Sequence, residues 1–257
     1  MSVIALTGSA GGMGRAIRHR LESAGHRLIG VDQRDADVMA DLSTSSGRTT
    51  MVSEVARQCD GALDGLVVAA GIHAGDASTI VSVNYFGAIA TLAGLRSFLV
   101  NGSDPSAVVV SSNSTTTQPG YPIEVAKLCL GGDESAACQA AGDDALGAYP
   151  ASKLALARWV RRHAPSADWI GSGIRLNAIA PGFIDTPMTE GTWEFVATMG
   201  DIYPIPVGRP GRPAEIAGLI DYLLSADAGF FCGSVITVDG GTEAVLRADD
   251  WPRPIES

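Results

Sequence analysis

Tyr149 and Lys153 stand four residues apart in Tyr149-Pro150-Ala151-Ser152-Lys153, so on a helix their side chains share one face. An ammonium beside a phenol stabilises the phenolate. A free tyrosine titrates near ~10, so a phenol that trades protons near neutrality needs about 4 kcal/mol of differential stabilisation. The chain has only two lysines, Lys127 and Lys153, against sixteen arginines, so half of its lysines belong to this pair. Pro150 pushes the residue before it away from helical geometry, which predicts Tyr149 at a helix start.

A second constellation lies near the amino terminus, in Thr7-Gly8-Ser9-Ala10-Gly11-Gly12-Met13-Gly14. Gly8, Gly12, Met13 and Gly14 between a strand and a helix would bring backbone N–H groups to a pyrophosphate and allow close helix packing. No Lys-Ser or Lys-Thr follows, which excludes a nucleoside-triphosphate loop. Asp32 ends the next apolar run, eighteen residues beyond Gly14. A carboxylate there accepts hydrogen bonds from an adenosine ribose and repels a 2′-phosphate, though a turn residue is the plainer alternative. Arg34 lies nearby, but the glycine loop holds no basic residue, so NAD is expected over NADP. Asp41 and Leu42 would meet adenine or simply make a turn.

These residues need a frame. Short apolar runs at 3–6, 28–31, 38–40, 66–70, 107–110, 174–180 and 235–238 alternate with helical periodicity at 13–24, 47–59, 81–100, 152–163 and 213–224. That alternation predicts one α/β domain over 1–257, a doubly wound, seven-stranded parallel sheet with helices on both faces. Two segments break the rhythm. Residues 118–148 read as an insertion of local charge −4, with short helices at 123–130 and 134–141. Residues 183–207 follow the sixth run and are rich in aromatics.

The 257 residues carry a formal charge of −10, which disfavours nucleic acid and anionic membranes as partners. Cys59, Cys129, Cys138 and Cys232 lack metal-ligand spacing, so no metal site and buried free thiols are expected. No leader pattern and no window approaching ~18 apolar residues is read, and the expectation is a soluble cytoplasmic protein.

Taken together, the glycine loop, Asn84 within Val83-Asn84-Tyr85, Ser111-Ser112 ending a strand, the Tyr149/Lys153 pair and Pro181-Gly182 resemble the short-chain dehydrogenase/reductase family over the whole chain. The resemblance implies a Rossmann fold binding NAD(P), with reversible hydride transfer between a carbinol carbon and nicotinamide. It implies Tyr149 as acid/base and Lys153 lowering its pKa while binding the nicotinamide ribose. Ser112 would bond the substrate oxygen, with Ser111 and Ser114 as competitors, and Asn84 would hold a water of a proton relay or be a plain helix position. Ser112 and Ser114 on an extended strand would face the same way, which places Ser114 in the pocket. Ala70, Gly71, Pro181, Gly182, Ile184 and Thr186 match cofactor-contacting positions. Two departures stand out. Ala69-Ala70-Gly71 replaces the family's asparagine-rich segment, and the 37 residues from Ser112 to Tyr149 far exceed the usual separation. The long spacing resembles the bacterial 3α-hydroxysteroid dehydrogenase/carbonyl reductase branch.

Phe183, Met188, Trp193, Phe195, Met199 and Tyr203 would make a lid over an apolar alcohol or ketone, or else an ordinary core-covering helix. Steroids or aryl ketones are favoured over phosphorylated substrates. The acidic insertion before the Tyr149 helix is expected to hinder a four-helix subunit interface, predicting a homodimer in preference to a tetramer. A 3-oxoacyl reductase and a non-catalytic dinucleotide-binding regulator are the rival readings. The tail from Ala248 onward is given no role.

Overall fold

The seven apolar runs become seven parallel strands: β1 (Val3–Thr7), β2 (Arg27–Asp32), β3 (Val38–Met39), β4 (Gly65–Val68), β5 (Ser106–Val110), β6 (Arg175–Pro181) and β7 (Val235–Val238). Every residue of β4, β5 and β6 is buried, as expected for a sheet covered on both faces. The structure, a computed structural model, describes residues 1–250; the tail is described as far as Asp250, and 251–257 lie outside the described residues. Strand order is β3-β2-β1-β4-β5-β6-β7. The order reverses between β1 and β4, which opens a crevice at their carboxyl ends.

The helices are α1 (Gly12–Ser23), α2 (Ser45–Gln58), α3 (Ala77–Val81), α4 (Ala88–Val100), α5 (Ser114–Thr117), α6 (Ile123–Gly131), α7 (Glu134–Ala141), α8 (Ala145–His163), α9 (Trp193–Thr198), α10 (Pro213–Leu224) and α11 (Thr242–Leu246). Ile17 and Leu21 of α1 pack with Ile216, Ile220 and Leu223 of α10 on one face of the sheet. On the other, Met51 and Val55 of α2 join Leu92 and Leu95 of α4 and Ala155, Leu156 and Val160 of α8.

Four expectations change. First, α3, a π-helical turn (Ser82–Gly87) and α4 run on as one helix, Ala77–Val100, which by length and composition alone could cross a membrane. It is a core helix instead, with 61% of its most apolar window buried inside the fold. Second, Tyr149 is not at a helix start. Asp144 caps α8 by accepting from the Gly147 N–H at 2.8 Å, which puts Tyr149 in the second turn. Pro150 cannot donate to the Leu146 carbonyl, and Gln118 Nε2 donates to it instead at 3.1 Å. Third, β5 ends at Val110 and the chain bends into α5, so Ser112 and Ser114 do not lie on one strand. Fourth, Cys232 is exposed and Cys138 half-buried, leaving Cys59 and Cys129 as the buried thiols.

Candidate active site

The crevice between β1 and β4 is a cleft of about 470 Å³ running along the glycine loop. Gly8 is held at φ +74°, and a Cβ there would meet the Ala70 nitrogen at 2.8 Å. Backbone therefore packs on backbone where the family has asparagines. A Cβ on Gly14 would collide with the Gly8 carbonyl. The N-cap of α1 is Gly11, without a side-chain cap, so first-turn N–H groups are open to the cleft. Asp32 lines the cleft, with its carboxylate accepting from the Ala10 N–H at 3.0 Å and the Gln33 N–H at 2.8 Å. Met13, Leu42, Ala70, Gly71 and Thr186 also line it, and Arg34 and Val83 join them. An uncapped helix start, a loop that only glycine can make and a carboxylate at the end of β2 fit a dinucleotide.

Asp41 is not at the cleft wall. Its carboxylate accepts from the Ser43 hydroxyl at 2.7 Å, the Ser43 N–H at 2.9 Å and Gln33 Nε2 at 3.1 Å, closing its own turn. The Ser43 hydrogen bonds hold it below the usual carboxylate range. The plain turn alternative describes this residue.

Met13, Ala69, Gly71, Thr186 and Met188 form a wall shared with a second cavity of about 650 Å³. Ser112, Ser114, Tyr149, Lys153, Pro181, Gly182, Phe183, Ile184 and Met188 all border it. Tyr149 and Ser112 both border this cavity, and the Ser112 hydroxyl is near enough to bear on the phenol. Ser111 is turned away, its Oγ donating to the Lys153 carbonyl at 3.0 Å. That bond ties the end of β5 to α8 and leaves Ser112 as the serine beside Tyr149. The buried Ser114 Oγ has no hydrogen-bond partner among the described residues.

Lys153 is 3% exposed, and its Nζ donates to the Val110 carbonyl at 2.9 Å. A Cβ on Gly71 would lie 3.0 Å from Lys153 Nζ and 3.2 Å from Asn84 Oδ1, so glycine lets both groups approach. Burial brings Lys153 down to about 8. Burial also pushes the Tyr149 phenol above its ordinary value, against the smaller lowering by the Ser112 hydrogen bond.

Asn84 sits on the π-helical turn, fully buried. Its Oδ1 accepts from the Ile72 N–H at 2.8 Å, and its Nδ2 donates to the Ile72 carbonyl at 2.9 Å and to Ser152 Oγ at 3.3 Å. Ser152 donates in turn to the Tyr149 carbonyl at 2.7 Å. The side chain of Asn84 is therefore spent on positioning, a role for which its residue type gave no specific signal.

Trp193 does not border the cavity. It packs on Phe183, ring centroids 5.7 Å apart, and lines a separate depression with Val196 and Pro204. Phe195, Met199, Ile202 and Tyr203 face the cavity instead, at helical spacing along the opposite side of that segment. Sequence reasoning also missed Asn113, whose Nδ2 donates to Tyr203 Oη at 3.0 Å and to Asp239 at 3.2 Å. No group of three or more His, Cys, Asp or Glu is placed to hold a metal among the described residues.

A family model described as enoyl-(acyl carrier protein) reductase matches residues 134–243. The chain is 38% identical over 256 residues to the 3-alpha-hydroxysteroid dehydrogenase/carbonyl reductase of Comamonas testosteroni, covering 96% of this chain and 98% of that one. It is 29% identical to the meso-2,3-butanediol dehydrogenase of Serratia marcescens, covering 94% of each. The crystal structure of the 3-alpha-hydroxysteroid dehydrogenase from Pseudomonas sp. B-0831 complexed with NADH superposes with a TM-score of 0.88 at 42% identity, covering 96% of this chain and 99% of that one. With the glycine-loop cleft, the Ser112/Tyr149/Lys153 grouping and these full-length likenesses together, the chain belongs to the short-chain dehydrogenase/reductase family of nicotinamide-dependent oxidoreductases.

Proposed function

We propose that the protein transfers a hydride reversibly between NAD and an apolar secondary alcohol or ketone, a hydroxysteroid or an aryl carbonyl compound. One observation carries this reading: Tyr149, Ser112 and Lys153 stand where the dinucleotide cleft shares a wall with a roomy, mostly apolar cavity. A bound nicotinamide would supply the hydride acceptor and, in its oxidised form, a positive charge. Ser112 orients the carbinol oxygen by a hydrogen bond, and Tyr149 accepts its proton in oxidation or returns it in reduction. Lys153 is held in place by the Val110 carbonyl and has further N–H donors for ribose hydroxyls. A water relay at Asn84 would use its main chain, because its amide is engaged. Phe195, Met199 and Ile202 give the cavity apolar surface for the substrate to cover.

Preference for NAD rests on the Asp32 carboxylate in the cleft, where a 2′-phosphate would meet like charge. The relative from Pseudomonas sp. B-0831, crystallised with NADH, supports the same choice. The test is to offer NAD and NADP separately with hydroxysteroids, aryl alcohols and hydroxyacyl thioesters, following nicotinamide absorbance. Turnover of hydroxysteroids or aryl alcohols with NAD is the expected result. Turnover of thioesters alone would favour an oxoacyl reductase, and dinucleotide binding without any turnover would make the protein a binding module.

A further inference from the structure

The acidic insertion reaches the cofactor cleft through one ion pair. Glu134 opens α7, whose N-cap Asp133 accepts from the Ala136 N–H at 2.9 Å. The Glu134 carboxylate accepts from Arg48 Nη1 and Nη2, each at 2.7 Å, a bidentate geometry. Arg48 lies in the first turn of α2, and its side chain is only 12% exposed. Its other donors go to main-chain carbonyls: Nε to Leu42 at 2.8 Å, and Nη2 to Ser82 at 3.0 Å and Ser43 at 3.3 Å. Leu42 is a wall of the dinucleotide cleft, and Ser82 begins the π-helical turn that presents Val83 to it. Gly47 completes the arrangement, since a Cβ there would collide with the Asp41 carbonyl.

We propose that Glu134 and Arg48 are positioning residues for the cofactor, by which the insertion locks the Leu42 wall of the cleft, and Val83 beside it, against the adenosine end of the dinucleotide. The proposal rests on the dinucleotide reading of the cleft. An exposed ion pair would contribute little. This one is different in two ways. Removing the Glu134 charge takes the bidentate partner from a mostly buried guanidinium, and that guanidinium is bonded to the carbonyl of Leu42 in the cleft wall and to those of Ser43 and Ser82 beside it. The insertion also bonds the same region through Cys138, whose Sγ approaches the Ser78 carbonyl and the Ser82 Oγ, both at 3.6 Å.

The test titrates ADP-ribose and AMP into the full-length wild type, Glu134→Gln, Arg48→Gln and the double variant, with thermal melts alongside. Each single variant is expected to raise both dissociation constants about tenfold. The double variant is expected to do no worse than the worse single, because the two side chains act as one unit. At saturating NAD the kcat of Glu134→Gln should stay within about twofold of wild type while KM for NAD rises, a split that general loosening would not give. Glu134→Asp, which keeps the charge, gives an intermediate loss and serves as well if Glu134→Gln does not fold. Unchanged AMP and ADP-ribose affinity in folded variants overturns the proposal. A wild type that binds neither ligand overturns instead the dinucleotide reading beneath it.

Discussion

Tyr149 and Lys153 occupy surroundings that oppose charge on either side chain, and this has a consequence that can be measured without substrate. Lys153 falls from its ordinary 10.5 to about 8 through burial. The unfolded chain therefore binds the proton more readily than the folded one, and stability rises with pH between those values. From about pH 7 to about pH 9.5 the gain is about 2 kcal/mol, and Lys153→Met should lose it while being the more stable protein near pH 7. Urea unfolding of the dinucleotide-free protein checks this; parallel pH profiles for wild type and variant would contradict it. At the other end of the cleft, Asp32→Ala should move the NADP-to-NAD ratio of kcat/KM toward NADP by about tenfold or more. Steady-state kinetics with both cofactors give the ratio. The Tyr149/Lys153 pair was legible because helical spacing is local. The choice of Ser112 over Ser111 rested on the family resemblance alone, because its physical reason is Ser111 bonding the Lys153 carbonyl across the fold. Trp193 shows the same limit, since composition marks an aromatic segment and not which side of it faces the cavity.

At the level of elements, the glycine loop makes sense as three close approaches that no side chain permits. Gly14→Ala would drive a Cβ into the Gly8 carbonyl, so it should destabilise the protein by about 1–3 kcal/mol and weaken ADP-ribose binding together. Chemical denaturation and calorimetric titration check the two effects. The inner strands β1, β4, β5 and β6 were readable because runs buried on both faces are continuously apolar, while the edge strands β3 and β7 are only partly buried. Helix α8 was read too short. A proline inside a helix is tolerated when the freed carbonyl finds another donor, and here Gln118 of the insertion supplies it. The insertion thus supports α8 from one side through Gln118 and reaches Arg48, beside the cleft, from the other through Glu134. Its two helices were expected at 123–130 and 134–141 because so long a structureless loop would be unusual, and they run over Ile123–Gly131 and Glu134–Ala141. Neither contact could be read from the sequence, since each joins residues 28 or 86 positions apart.

For the whole molecule, −10 of charge and an insertion packed over α3 and α8 bear on assembly. With α6 lying on α8 and α7 on α3, a four-helix interface built on α8 is obstructed, and we propose a homodimer. Sedimentation equilibrium should give the dimer mass; a tetramer would contradict it. The chemistry proposed is hydride transfer to NAD from an apolar secondary alcohol, with Tyr149 moving the proton. The most direct test is to measure, on the same preparations of wild type and Tyr149→Phe, turnover of a hydroxysteroid with NAD and the dissociation constant for NAD. The expected result is loss of kcat by about a thousandfold or more with NAD affinity held within about twofold. A Tyr149→Phe protein that turns over at the wild-type rate would contradict the account.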